Sequence, residues 1–308
     1  MELGLYTDSL PDHTFEQALD VAARVGATAI EIATGGQSSA SHLRIDELLG
    51  DAGRQAAFLA AFTSRGLRIA ALNCSAWPLH PALGERHAAL IRKTIQLASE
   101  LGVTKIVSMS GSPGDGATST AVNFVWYPWP DESMALLQRQ WDEGIALWRD
   151  LAAEAEAAGV EAIAFELHPL HLVYNVPTFQ RMRDAVGPLI GVNLDPSHLF
   201  WQGMDPLAVI RALGPAVKHV HVKDTELVAD QVAIAGVLDQ RRFDDPSNRA
   251  WVFRTPGAVH DAPWWTAFVD TLRAVGYDDA LAIENEDPHL PAEAAVEEAA
   301  RFMRPIIG

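Results

Sequence analysis

The sequence predicts a parallel (β/α)8 barrel, and three observations carry that expectation. One device recurs along the chain: an alanine-rich helical pattern, then glycine, then a short apolar strand. It stands at Gly26, Gly66, Gly102, Gly159, Gly187, Gly214 and Gly276. Glycine just past a helix adopts the left-handed conformation without a Cβ penalty and closes the last carbonyls. These seven junctions separate eight strand–helix units. The short units run roughly 27 to 40 residues, which suits βα repeats joined by short loops. Strict βα alternation implies a parallel sheet, and eight units imply closure. An open doubly wound sheet is the runner-up. It explains less, because its polar strand ends would not all converge. The expected organisation is one domain over residues 1–308.

The elements follow in order. Thr14 and Gln17 form a Thr-x-x-Gln capping box. Phe15, Ala18, Leu19, Ala22 and Val25 then recur at helical spacing, so one stripe faces the sheet. The second strand, 29–32, places Glu31 on the pore side, and the third, 67–73, brings Asn73 to the barrel mouth. The fourth strand, 105–110, leads into a long loop from Gly111 to about Glu132 that contains Phe124, Trp126, Tyr127 and Trp129. Pro177 suits the first turn of the fifth helix. The seventh unit carries a second long loop, Thr225 to about Ala262, with Trp251, Phe253 and Arg254. Both insertions follow strands and therefore lie on the catalytic face of a barrel. Loops of this length are usually lids or binding loops. Their aromatic content predicts a partly apolar roof, or a face covered by a second copy or a partner subunit.

Composition narrows the class. A hydrophobic fraction of 49% with 20% charged residues is ordinary for a globular enzyme. The net charge of −17 opposes a nucleic-acid or anionic-membrane surface, both of which require a basic footprint. The single cysteine, Cys74, rules out an intramolecular disulfide and fits a reducing compartment. The N-terminus lacks a basic region followed by an apolar run, and no apolar stretch reaches the roughly 18 residues of a membrane helix. A cytoplasmic protein is expected.

Four strands end in groups that can bind metal. They are Ala162–Glu166, Gly191–Asp195, Val217–Asp224 and Ala280–Glu286. Large apolar residues (Ile163 and Phe165, Val192 and Leu194, Val220 and Val222, Leu281 and Ile283) alternate with small or polar ones. If the large residues pack outward on helices, Glu166, Asp195, His221 and Glu284 all point inward at one end. A lone acidic residue at a strand end is more often a cap or an ion-pair partner. Three carboxylates meeting in a barrel mouth, however, would repel and take up protons unless a cation compensates. Three oxygen ligands and one imidazole suit one divalent ion. Mn²⁺ heads the expectation, with Mg²⁺, Co²⁺ and Zn²⁺ admissible. His219 shares the parity of His221 and reads as an inner-layer filler, and Glu286 either as a group supporting Glu284 from behind or as a solvent-facing neighbour.

Phe165-Glu166-Leu167-His168-Pro169, Asp195-Pro196-Ser197-His198, His221-Val222-Lys223-Asp224 and Ile283-Glu284-Asn285-Glu286-Asp287 together resemble the xylose-isomerase-like TIM-barrel superfamily of sugar phosphate isomerases and epimerases. The resemblance spans nearly the whole chain, and the pieces are specific in this order and spacing. It implies that Glu166, Asp195, His221 and Glu284 hold the metal and that His198 binds substrate. It implies a ketose or keto-sugar, or a related polyol, held through adjacent oxygens. Glu166 and Glu284 would then exchange protons with it through an enediolate, as the two catalytic groups. His168, His198, Lys223 and Arg254 are candidates to hold hydroxyls and polarise the carbonyl, with Asn73 at the mouth and Trp126 in the roof.

Other chemistries start identically. A leaving group beta to the carbonyl would turn the same enediolate into a lyase or dehydratase, acting on an inosose or an oxidised 3-keto glycoside. The aromatic loops tilt toward such a substrate, and no glycine-rich phosphate cradle follows strands seven and eight. Apurinic endonucleases share the resemblance, but they require more ligands where this chain has Asn73 and Ser108/Ser110, and the charge opposes DNA. A non-catalytic sugar-binding barrel is the remaining alternative.

Overall fold

The computed structural model describes residues 1–308. Eight strands form a closed barrel, and two more form a separate ribbon. In chain order the strands are β1 (Glu2–Tyr6), β2 (Ala29–Gly36), β3 (Arg68–Ser75), β4 (Lys105–Ser108), β5 (Ala162–Glu166), β6 (Ile190–Leu194), β7 (Val217–Val222), β8 (Asp224–Leu227), β9 (Trp251–Arg254) and β10 (Ala280–Ile283). The barrel order is β1-β10-β7-β6-β5-β4-β3-β2, and β8 pairs with β9. The barrel pairings β1/β10, β10/β7, β3/β4, β4/β5 and β5/β6 are parallel. This is the (β/α)8 barrel expected from the glycine junctions. All seven junction glycines have positive φ, from 55° to 131°. Gly26 and Gly102 are left-handed helix caps, whereas Gly187 and Gly214 leave the helix with ψ of 179° and −131°, so those two junctions are not left-handed caps.

The chain forms two compact units, one of residues 1–30, 64–68 and 194–308, the other of 31–63 and 69–193. In the first, the Thr14 box closes as expected: Thr14 accepts from Gln17 N–H, and the Gln17 side chain accepts from Thr14 N–H. Ala18, Leu19, Ala22 and Val25 are buried, with Phe15 half-buried. In this unit β1, β10 and β7 share a register that places Gly4 beside Ala282 and Ala282 beside His221. His221 therefore has the parity of small interior residues.

The second unit shows the same division of faces. Phe165 packs outward against Trp148, their rings 4.4 Å apart and steeply inclined, and both are fully buried. Ala71, Val107 and Ala164 form a small-residue cluster. Ala71 and Ala164 each lie two residues before a predicted site residue, Asn73 and Glu166, and so share its face. Asn175 and Thr178 build a second capping box, with Pro177 in the first turn.

The long segment after β4 is pinned from within this unit. The buried Gln140 donates from Nε2 to the carbonyls of Pro113 (3.2 Å), Gly114 (3.1 Å) and Asn123 (2.8 Å). Trp148 donates to Ser110 O (2.8 Å), and Ser110 Oγ accepts from Val173 N–H (2.9 Å). The segment ends at the helix Asp131–Ala157.

The segment after β7 differs from the expectation of an irregular loop. Strand seven stops at Val222, and Asp224–Leu227 turns away to pair antiparallel with Trp251–Arg254. Asp224 leaves the barrel because its backbone is registered against Arg254 in the ribbon, and its side chain anchors the departure from both oxygens. Oδ1 accepts from Thr225 N–H (2.8 Å) and Oδ2 from His260 N–H (2.9 Å). The eighth barrel strand likewise ends at Ile283, three residues early, because Asn285 N–H goes to Ser9 Oγ (2.9 Å) rather than to a neighbouring strand. Strand six ends at Leu194 and strand four at Ser108.

Candidate metal and substrate site

In the first unit, Asp195 does two things at once. It is the N-cap of the short helix Pro196–Trp201, and its Oδ1 accepts from Ser197 N–H (2.8 Å). Its buried Oδ2 lies 3.1 Å from Lys223 Nζ and 3.4 Å from His198 Nε2. Burial works against the charge of Asp195. The attraction of Lys223, His198 and His221, with the Ser197 hydrogen bond, outweighs it and holds the carboxyl well below the usual carboxylate range. A carboxylate kept ionised in a buried place is ready to face a cation.

Lys223 is the cation already there. Its ammonium is buried and donates to Glu284 Oε2 (2.6 Å) and Glu286 Oε2 (2.7 Å). Glu284 Oε2 also stands 3.1 Å from His221 Nδ1. The His221 ring stacks on Tyr6 at the end of β1, 5.7 Å between centroids and 12° between planes. His219 stands edge-on to His221 at 5.6 Å. His198 is buried, with its ring perpendicular to Phe253 at 5.3 Å. Arg254 is committed to the ribbon, where it pairs with Glu226 and with Asp287 (3.4 Å). Asp287 is held below the usual carboxylate range despite burial, by the Thr255 and His289 N–H groups, the Thr255 hydroxyl and Arg254.

In the second unit, Glu166 is the buried last residue of β5, and Asn193 donates to its Oε2 (3.3 Å). His168 follows in a tight turn, its N–H on Glu166 O (2.9 Å) and its ring edge-on to His171 at 5.5 Å. Asn73 is buried and donates to Glu31 Oε1 (2.6 Å), leaving its own Oδ1 buried without a hydrogen bond. Trp126 is 53% exposed, set against Tyr127, and Trp129 is 71% exposed.

Three of the four predicted ligands form one set. Glu166, His221 and Glu284 can each offer one donor atom, all within 4.8 Å of one another. Two further trios meet the same condition: Glu166 with His168 and His198, and Glu31 with His219 and His221. Asp195 belongs to none of these trios; its Oδ2 is paired with Lys223 and faces His198. Two carboxylates and an imidazole fit a divalent ion of the Mn²⁺, Mg²⁺, Co²⁺ or Zn²⁺ type. The residues present are therefore a candidate divalent-metal cluster.

Three contacts escaped sequence reasoning. Asn193 has the inward parity of Asp195, and that signal could have found it. The Lys223–Glu286 ion pair places Glu286 against the cluster, although that side chain is half exposed. Phe253 was legible only as one of the roof aromatics; its contacts with Lys223 and His198 depend on the ribbon.

A family model described as a xylose isomerase-like TIM barrel matches residues 19–306. The chain is 40% identical over 311 residues to the uncharacterised protein YfiH of Bacillus subtilis (strain 168), covering 100% of this chain and 99% of that one. It is 27% identical over 258 residues to an inosose dehydratase of Geobacillus thermodenitrificans (strain NG80-2), covering 80% of each. Among solved structures, the probable 3-DHS dehydratase AsbF of Bacillus anthracis superposes with a TM-score of 0.67 at 18% identity, over 98% of each chain. No helix is long and apolar enough to cross a membrane. With the closed barrel and the carboxylate–imidazole cluster at its strand ends, these likenesses place the chain in the xylose isomerase-like TIM-barrel family.

Proposed function

We propose that this protein is a divalent-metal-dependent isomerase or epimerase of a ketose or keto-sugar, working by proton transfer at the carbon beside the carbonyl. The observation that carries this reading is the Glu166–His221–Glu284 trio, with donor atoms within 4.8 Å of one another. Glu166, His221 and Glu284 would hold the ion, with Asp195 as the fourth group facing it. The ion would supply positive charge where the carbonyl oxygen becomes anionic.

The chain's own residues supply the rest. A carboxylate takes the proton from carbon, and a second carboxylate, carried on another strand, returns it; Glu284 and Glu166 are so placed in sequence. His198 and Lys223, both buried, orient hydroxyls by hydrogen bonds. Lys223 is matched by Glu284 and Glu286, and Arg254 by Glu226 and Asp287. That commitment of cations favours an uncharged polyhydroxy ketone over a phosphorylated one.

One observation favours a second reading, elimination. The Lys223 ammonium lies 2.6 Å from Glu284, so an acid stands beside the base. A carboxylate would break the C–H bond, its electron pair would form the new C=C, and the beta C–O bond would break. Lys223 would protonate the departing oxygen. The inosose dehydratase relative supports this alternative.

Incubation with a panel of keto-sugars in D₂O, at saturating Mn²⁺, tests both. Deuterium uptake with formation of an isomer of the same molecular formula supports isomerisation or epimerisation. Loss of the mass of water or of an aglycone supports elimination. No uptake across ketoses, inososes and 3-keto glycosides refutes the proton-transfer reading.

A further inference from the structure

The insertion after β7 is more than a cover. Phe253, at the third position of β9, turns its ring face to Lys223, with Nζ 4.6 Å from the ring centroid. The same ring meets His198 edge-on at 5.3 Å. Phe253 thus touches two side chains read above as substrate-holding, while belonging to a ribbon outside the barrel. Lys223 faces the Glu284, Glu286 and Asp195 carboxylates within 3.1 Å. The ring covers a further side of the ammonium.

The ribbon is itself fastened to the helix that carries His198. Thr225 Oγ1 donates to Ser197 O (2.8 Å), and Trp251 lies flat on Trp201, 4.7 Å apart and 3° from parallel. Ala250, Trp251 and Phe253 form their own buried cluster. Phe253 is therefore held on a rigid support, which a ring used for orientation requires.

We propose that Phe253 is a positioning residue. The negative face of its ring holds the Lys223 ammonium, and its flank holds the His198 imidazole, so that the ribbon sets the geometry of the substrate-binding groups. This rests on the reading of Lys223 and His198 as substrate-holding. A cation over an aromatic face in a dry site is worth roughly 5- to 30-fold in an equilibrium constant.

The test keeps the shape and changes the ring's charge distribution, by incorporating 3,4,5-trifluorophenylalanine at position 253. Unfolding equilibria are measured with and without the fluorines, in the Lys223 protein and in Lys223→Met. Lys223→Gln serves if the methionine variant cannot be purified. Fluorination should lower the folding constant roughly 5- to 30-fold with Lys223 present and little without it. An equal effect in both backgrounds overturns the contact. In deuterium exchange on a keto-sugar, the fluorinated protein should show a raised KM with kcat within about 3-fold, and Phe253→Tyr should behave as wild type. An unchanged KM overturns the positioning role. Absence of exchange in the wild type itself would instead refute the proposed function, while the unfolding cycle still decides whether Phe253 holds Lys223.

Discussion

Removing Lys223 should expose the electrostatic debt of the site. In Lys223→Met, Asp195 loses the cation 3.1 Å from a fully buried oxygen, and Glu284 loses its 2.6 Å partner. The pair with Glu286 counts for little, because that carboxylate is half exposed. Removing one partner from a buried ion pair costs about 3–5 kcal/mol. At about 2.1 cal/mol/K per residue, a 308-residue chain unfolds with an entropy of about 0.65 kcal/mol/K. The expected drop in melting temperature in EDTA is therefore about 5–8 °C. A divalent ion offered to the same carboxylates at 100-fold excess over Kd contributes about 2.7 kcal/mol, or about 4 °C. The gain on adding Mn²⁺ should be larger in Lys223→Met than in the wild type, where the lysine already balances part of the charge. Differential scanning calorimetry of both proteins, with EDTA and with Mn²⁺, measures all four values. A variant that melts within 1 °C of wild type in EDTA would refute the reasoning.

Other expectations follow from the same structure. Glu284→Gln keeps shape and one oxygen but loses basicity, so solvent-deuterium exchange should fall about 10²-fold or more at full metal occupancy; undiminished exchange would remove Glu284 from proton transfer. Burial pushes the Cys74 thiol up to about 11 from 9.0, against hydrogen bonds with Thr94 and Thr34. Its folded pKa is raised, so the stabilisation is complete below about pH 9 and is lost as pH rises toward about 11, by about 3 kcal/mol. Cys74→Ala should flatten that alkaline decline in urea-unfolding stability, and an identical slope in both proteins would show another group at work. Gln140→Leu should release the segment after β4, giving rapid proteolysis between residues 113 and 123 while β4 and β5 keep their hydrogen-exchange protection; joint loss of protection would show that the segment is part of the barrel core.

Much of the barrel was legible because glycine and alternation are local signals. Gly26 and Gly102 announce helix ends through a backbone need that the sequence states outright, and Ala164-Phe165-Glu166 announces an inside and an outside. Strand ends were not legible. Alternation through His221-Val222-Lys223-Asp224 runs on without a break, yet pairing changes partner at Lys223 because the backbone from Asp224 onward finds Trp251–Arg254 of a segment far along the chain. Ile283-Glu284-Asn285 hides a similar stop, since the acceptor of Asn285 N–H is Ser9, far away in sequence. Asp195-Pro196-Ser197 carries both a helix-cap signal and a site signal, and the structure shows the cap on one oxygen and the Lys223 ammonium with the His198 ring on the other. Phe253 and Glu286 depend on where a distant ribbon and a lysine come to rest, which no period encodes.

The Trp201–Trp251 pair has an optical consequence. Two indoles lying face to face at 4.7 Å and 3° share their excited states instead of absorbing as separate chromophores. One belongs to the helix bearing His198 and the other to the ribbon bearing Phe253. Circular dichroism of the unlabelled protein should therefore contain a coupled band that vanishes in either Trp201→Phe or Trp251→Phe. The same band would fade whenever the ribbon lifts from the helix, so the molecule carries its own gauge of that movement.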